Sequence, residues 1–350
     1  MSIRKRDRLI RVMVVDDSHL VRDLIAEILT SVTGIEIIGF AANGMEAVSK
    51  AALLKPDLIT MDIEMPIMDG LAAIEQIMRE NPTPILVVTA MGGVRTAFSA
   101  VSKGALDVVE KPDISLASGR TLINKVRILS GIDIRAHLAA RGGGAGGGPG
   151  QRAARRPTCA NSRIVAFASS TGGPQALLSI LSGLPAGFLA PIVIAQHIAD
   201  GFTQGMVDWL GGNSPFRVCV ARNGDRLSTG VVHVNPAEFS MQVTSQGMVV
   251  LSERTVREKY HPSCDTLLRS VADAYREEAV GVILSGMGDD GVDGMRAIRT
   301  AGGATLAQDA ESSVVYGMNR LAVERGHVGR VLALNEIPLE LGRLIESIGR

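Results

Sequence analysis

Short apolar runs that alternate with amphipathic stretches constrain this chain more than any other feature. Five such runs fall at residues 10–15, 35–40, 57–61, 84–88 and 105–109. Helix-like stretches lie between them near 19–30, 44–54, 68–80, 94–103 and 118–130. In the first of these, Leu20, Val21, Leu24, Ile25, Ile28 and Leu29 recur with the helical period. Strands that read as near-continuous aliphatic runs are buried on both faces, as in parallel sheets. The alternation therefore predicts a five-stranded parallel sheet with helices on both faces over residues 8–130. Ligands of such sheets bind at the C-terminal strand ends.

That segment fills under half of the 350 residues, so the length implies a second domain. Residues 141–150 read Arg-Gly-Gly-Gly-Ala-Gly-Gly-Gly-Pro-Gly, and Arg152, Arg155 and Arg156 follow before Pro157. Such a composition cannot offset its ordering entropy, so residues 131–161 are expected to be a flexible linker. The arginines there read as solvated linker residues rather than a nucleic-acid patch, and a docking role against an acidic partner stays open. The formal net charge is zero, which gives no general attraction to nucleic acid or to a membrane surface. No apolar run is long enough to span a bilayer. The basic start (Arg4, Lys5, Arg6, Arg8) imitates a signal peptide, but Arg11 and Asp16-Asp17 interrupt the apolar stretch. Three scattered cysteines (Cys159, Cys219, Cys264) form no metal pattern and suit a reducing compartment. A cytoplasmic location is the expectation.

Acidic residues cluster where the first sheet should end. Asp16 and Asp17 close the first run, Asp62 the third, Thr89 the fourth, and Lys111 follows the fifth. Taken singly, each is an ordinary solvated loop residue. Together on one sheet edge, the carboxylates repel unless a cation sits among them, and oxygen ligands with an open site favour Mg²⁺. Lys111 and Thr89 would then meet the oxygens of a phosphoryl group, with Asp62 as the nucleophile that forms an acyl-phosphate.

These stretches resemble the response-regulator receiver domain. The match is carried by Val14-Val15-Asp16-Asp17-Ser18, by Met61-Asp62-Ile63-Glu64-Met65-Pro66 through Asp69-Gly70, and by Glu110-Lys111-Pro112. The resemblance implies phosphorylation at Asp62, Mg²⁺ held by Asp16, Asp17, Asp62 and the Glu64 carbonyl, and phosphoryl contacts from Thr89 and Lys111. One departure is Val108, which stands where receivers usually carry an aromatic switch residue.

In residues 162–350 strand-like runs recur at 163–168, 191–195 and 279–285. Val231–Val234, Ser240–Val243 and Met248–Leu251 read as a hairpin region. The prediction is a second, mostly parallel α/β sheet with an antiparallel appendage and a last helix over about 336–348. The turn Ser169-Ser170-Thr171-Gly172-Gly173-Pro174 follows the first run and opens a helix. A hydroxyl there sits beside amide donors at a helix N-terminus, where a nucleophilic serine belongs, although Ser as a plain N-cap fits equally well. The second run ends at Gln196-His197, and the third leads into Ser285 and Gly286-Met287-Gly288-Asp289-Asp290-Gly291. In a parallel sheet these ends share one edge, so Ser170, His197 and Asp290 can converge as nucleophile, base and orienting acid for acyl transfer. The same glycine loop fits G-x-G-x-x-G, with Asp309 eighteen positions on. Asp289, Asp290 and Asp293 would repel a pyrophosphate there, which argues against dinucleotide binding.

The segment resembles the catalytic domain of chemotaxis protein-glutamate methylesterases. The matching stretches are Ala168 to Gly173, Gln196-His197 with Gly201-Phe202-Thr203, His261 to Asp265, and Gly286 to Gly291. The resemblance implies Ser170 as nucleophile, with Ser169 the alternative, His197 as general base and acid, and Asp290 as its partner. Thr171 and the Met287 backbone N–H are the implied oxyanion contacts, and the esterase site needs no cofactor. The implied substrates are glutamyl methyl esters and glutamines of methyl-accepting chemoreceptors, with a chemotaxis histidine kinase as phosphodonor. The implied control is steric, by the unphosphorylated receiver. Two alternatives are a phosphorylation-controlled binding module and the same hydrolase on a non-motility receptor array. Asp289 stands where Asn is common, and two adjacent carboxylates are expected to raise one pKa. Cys264 replaces a more usual aliphatic residue.

Overall fold

The computed structural model describes residues 9–90, 93–112, 116–135, 163–253 and 260–346. The chain divides into two compact units between residues 139 and 140. Most of the expected linker, residues 136–161, lies outside the described residues.

The first unit contains β1 (Ile10–Val15), α1 (His19–Thr30), β2 (Ile35–Ala41), α2 (Gly44–Leu54) and β3 (Leu58–Met61). It continues with α3 (Gly70–Glu80), β4 (Ile85–Thr89), α4 (Val94–Ser102), β5 (Asp107–Glu110) and α5 (Leu116–Leu129). All five strands are parallel, in the order β2-β1-β3-β4-β5. Each predicted strand and helix is present, with boundaries moved by one or two residues. Strand β3 is buried along its whole length, and β4 likewise, as strands covered on both faces must be. The order reverses direction between β1 and β3, which places the crevice of this fold at their C-terminal ends.

The second unit opens with β6 (Ile164–Ser169), α6 (Gly173–Gly183), β7 (Ile192–Gln196), α7 (Thr203–Gly212), β8 (Arg217–Val220) and β9 (Val231–Val234). The hairpin β10 (Phe239–Val243) and β11 (Val249–Glu253) follows. Then come α8 (Cys264–Tyr275), β12 (Ala279–Ile283), α9 (Val292–Thr300), β13 (Ala304–Gln308), α10 (Met318–Glu324), β14 (Arg330–Leu332) and α11 (Ile337–Glu346). Seven parallel strands form one sheet, ordered β14-β13-β12-β6-β7-β9-β8. One expectation needs correction. Val231–Val234 is not part of the hairpin but a strand of the main sheet, parallel to β7 and β8. Val232, His233 and Val234 are all buried, so both faces are covered. The antiparallel appendage is β10 and β11 alone.

An aliphatic core joins β6, β7, β12 and β13 to α8, α9 and α10, with Ile164, Ala166, Ala168, Leu267, Val271, Ile283, Met295 and Met318 among its fully buried members. The strands run outward from β6, with β7 on one side and β12 on the other. The crevice therefore lies at the C-terminal ends of these three strands.

Candidate functional site

In the first unit the crevice is acidic. Asp16 follows β1 and Asp62 follows β3, both buried, with Asp17 exposed beside them. Oxygens of these three carboxylates lie within 4.8 Å of one another. Lys111, just beyond β5, reaches across with Nζ 2.7 Å from Asp16 Oδ2 and 2.8 Å from Asp62 Oδ2. Burial raises the Asp62 carboxyl above its usual range, and the Lys111 cation only partly offsets this. Burial alone would lower the Lys111 ammonium, but its bonds to Asp16 and Asp62 outweigh that and raise it. Thr89 ends β4 and is buried at the same edge.

Local chemistry fixes these positions. The Ser18 N–H donates to Asp16 Oδ1 at 2.9 Å while the Ser18 hydroxyl caps α1. The Arg22 guanidinium holds the carbonyls of Asp16 and Asp17. The loop from Asp62 to Gly70 doubles back so tightly that a Cβ on Gly70 would lie 2.1 Å from the Asp62 carbonyl oxygen. Glu64 is exposed in that loop. Val108 pairs with Val87 in the sheet and is half-buried.

A divalent cation fits this crevice. The donors are hard carboxylate oxygens. Asp16 and Asp62 are buried and, with Asp17 beside them, meet one cation at this edge among the described residues, the Lys111 ammonium, so negative charge is left in excess.

In the second unit the same topology brings a serine, a histidine and an aspartate to one edge. Ser170 follows β6, and its N–H donates to the Ser285 carbonyl at 3.1 Å, tying the turn to the loop after β12. His197 follows β7, and its N–H donates to the Ser169 carbonyl at 2.9 Å. The imidazole Nε2 lies 2.7 Å from Asp290 Oδ2. Asp290 is buried, and it also accepts from the N–H groups of Cys264 (2.7 Å) and Asp265 (2.9 Å). Burial works to raise the Asp290 carboxyl, but the His197 bond and charge and these two N–H groups hold it below its usual range. The expected disturbance from Asp289 is therefore not found at Asp290. Asp289 instead accepts a 2.8 Å hydrogen bond from the Tyr260 hydroxyl. The Tyr260 ring stacks on His197, with centroids 5.3 Å apart and planes 6° apart.

The two serines of the turn have separate environments. Ser169 is fully buried and donates its hydroxyl to Gln196 Oε1 at 2.6 Å. The Gln196 amide in turn donates to the carbonyls of Ser170 and His197, at 2.8 Å each. Ser170 is 9% exposed, and its hydroxyl makes no hydrogen bond among the described residues. Glycines let the strand ends close on each other. A Cβ on Gly173 would lie 2.1 Å from Gln196 Oε1, and one on Gly286 would lie 2.6 Å from Ser170 Cβ. Thr171 is buried, and its carbonyl accepts from the Ser285 hydroxyl at 2.7 Å. Met287 is exposed beside this loop, and its backbone N–H has no partner among the described residues.

Gln196, Ser285, Tyr260 and the N–H groups of Cys264 and Asp265 are parts of the site that residue spacing alone did not reveal. A polar Gln closing an aliphatic strand was the one available signal. The G-x-G-x-x-G loop is also explained. The Asp265 carboxylate accepts from the N–H groups of Gly291 (2.9 Å) and Gly294 (2.7 Å) at the start of α9. An internal anion thus fills the place a pyrophosphate would take.

These two crevices place the chain in the class of response regulators whose output unit is a hydrolase built on a parallel sheet. Residues 12–119 match the response regulator receiver domain model, and residues 165–341 match that of the CheB methylesterases. A protein-glutamate methylesterase/protein-glutamine glutaminase of Paramagnetospirillum magneticum is 44% identical over 95% of each chain. One from Anaeromyxobacter dehalogenans is 43% identical over 98% of this chain and 99% of its own. The Thermotoga maritima CheB methylesterase catalytic domain is 35% identical, with a TM-score of 0.52, and covers 53% of this chain and 100% of its own. The chain belongs to the CheB family of protein-glutamate methylesterases.

Proposed function

We propose that this protein hydrolyses glutamyl methyl esters of chemoreceptors, releasing methanol, and deamidates receptor glutamines, with turnover raised by phosphorylation of Asp62. The observation that carries the reading is the 2.7 Å bond from a buried Asp290 to His197 Nε2, on the sheet edge that also holds Ser170.

Asp290 is held ionised by the N–H groups of Cys264 and Asp265, so it accepts the Nε2 proton of His197. That fixes the tautomer and leaves Nδ1 as the basic nitrogen. Ser170 Oγ attacks the ester carbonyl as Nδ1 takes its proton, and Asp290 stabilises the imidazolium. The Met287 N–H and Thr171 are the groups assigned to the oxyanion. Methanol leaves with the proton from Nδ1, and water hydrolyses the acyl-enzyme by the reverse path. A glutamine side chain follows the same route with ammonia as the leaving group. The absence of a Ser170–His197 hydrogen bond is compatible with this, because such contacts often tighten only when substrate binds.

In the receiver, Asp16, Asp17, Asp62 and the Glu64 carbonyl would hold Mg²⁺, which supplies positive charge to the phosphoryl oxygens when bound. The Asp62 carboxylate accepts the phosphoryl group from a histidine kinase. Lys111 is already paired to Asp62 and is placed to neutralise the added charge, and Thr89 is at hand for a phosphoryl oxygen. No described helix is long and apolar enough to cross a membrane. The test is methanol release from methylated receptor membranes: Ser170→Ala should abolish it, and Asp62→Ala should remove only the increase caused by a small-molecule phosphodonor.

A further inference from the structure

Cys264 opens α8 directly beneath the His197–Asp290 pair. Its Sγ lies 3.6 Å from His197 Nε2. Atoms of His197, Cys264 and Asp290 fall within 4.8 Å of one another. We infer that His197, Cys264 and Asp290 form a binding site for a thiophilic divalent cation of the Zn²⁺ class, and that its occupation shuts down the esterase.

The spacing supports this. A tetrahedral Zn²⁺ has Zn–S near 2.3 Å and Zn–N near 2.0–2.1 Å, which separates sulfur from nitrogen by roughly 3.6 Å. Cys264 and His197 already stand at that distance. A nitrogen and a carboxylate oxygen on the same ion are separated by roughly 3.4 Å, so the 2.7 Å bond between His197 and Asp290 has to open by well under 1 Å. The ligand set is a thiolate, an imidazole and a carboxylate, which selects Zn²⁺ or Co²⁺ over Mg²⁺. The receiver crevice offers oxygen donors alone and has the opposite preference. Three protein ligands leave the fourth position of a tetrahedral site for a water.

The proton balance is simple. Asp290 binds as the carboxylate it already is. Burial and the Asp290 charge hold the Cys264 thiol protonated well above the usual thiol range, so the thiol loses its proton to solvent, and its contact with the Ala195 carbonyl, only as the metal takes the sulfur. The imidazole proton moves from Nε2 to Nδ1, so that the Nε2 lone pair can bind the metal. That move takes away the basic Nδ1 on which turnover depends. The inhibitory consequence rests on the proposed esterase mechanism, whereas the metal site itself does not.

The test uses the full-length protein with Mg²⁺ in excess, so that the receiver crevice does not compete, and Co²⁺ as the spectroscopic probe. Wild type should develop a thiolate-to-Co²⁺ charge-transfer band. The band should be lost in Cys264→Val and in Cys264→Ser, both of which keep the backbone N–H on Asp290, and should persist in Cys219→Ala. No band in wild type at saturating Co²⁺, or an undiminished band in the two Cys264 variants, would overturn the site. In parallel, Zn²⁺ should inhibit methanol release by wild type, and the Cys264 variants should need about ten-fold more Zn²⁺ or beyond. Equal Zn²⁺ sensitivity in wild type and variants would overturn the inhibitory role. Should the wild type itself release no methanol even when phosphorylated, the esterase reading fails, while the Co²⁺ band still decides the metal site.

Discussion

At the scale of single residues, Ser169 and Ser170 share a turn but not an environment, and their substitutions should separate accordingly. Ser170→Ala removes the hydroxyl at the crevice and should abolish turnover with an unchanged melting temperature. Ser169→Ala leaves the buried Gln196 Oε1 without its donor and should cost about 1–3 kcal/mol of stability, read by denaturant unfolding. The two buried aspartates respond to pH in opposite directions. The folded-state pKa of Asp290 is lowered, so its contribution to stability is present above its unfolded pKa and is lost as pH falls through the folded value. The folded-state pKa of Asp62 is raised, so its ionised form opposes folding at neutral pH, and this cost fades as pH falls through the folded value. Asp62→Asn should therefore stabilise the receiver at pH 7 by on the order of 1 kcal/mol, with the gain shrinking towards pH 4 in melting experiments. Lys111→Met should do the reverse, costing about 3–5 kcal/mol, because two buried carboxylates lose their shared cation.

At the scale of elements, both sites are built by glycines that let a strand end meet the next loop. Gly286→Ala drives a Cβ to within 2.6 Å of Ser170 Cβ. It should depress kcat at least ten-fold while the secondary structure, followed by circular dichroism, stays intact. The central strands were legible in the sequence because burial on both faces writes a near-continuous aliphatic run. Strands β8, β13 and β14 were not: β13 is interior but reads Ala-Thr-Leu-Ala-Gln, too small and polar for an aliphatic run, and the other two are edge strands. Arg217 and Arg330 are exposed on them, as edge strands commonly show, and the apolar signal is diluted. Strand β9 was legible as a strand but not in its partnership. Its short alternating run, ending at Asn235-Pro236, looks like one arm of a hairpin, and only the sheet reveals its parallel pairing with β7. The convergence of Ser170, His197 and Asp290 could be read from the strand ends. The N–H groups that hold Asp290 ionised belong to the first turn of α8, whose placement against the sheet edge depends on packing that spacing does not encode.

At the scale of the whole molecule, one chain joins a crevice suited to a phosphoryl group and a crevice suited to acyl transfer, in separate compact units. The units do different chemistry with the same topological device, a reversal of strand order that leaves loops from neighbouring strands facing each other. The link between them is what the proposed function needs most. The most direct measurement is methanol release from methylated chemoreceptor membranes, with and without a small-molecule phosphodonor and Mg²⁺, in wild type, Ser170→Ala and Asp62→Ala. The account predicts release that rises with phosphodonor in wild type, persists without that rise in Asp62→Ala, and vanishes in Ser170→Ala. Release that survives in Ser170→Ala, or wild-type protein that releases no methanol even when phosphorylated, would contradict it.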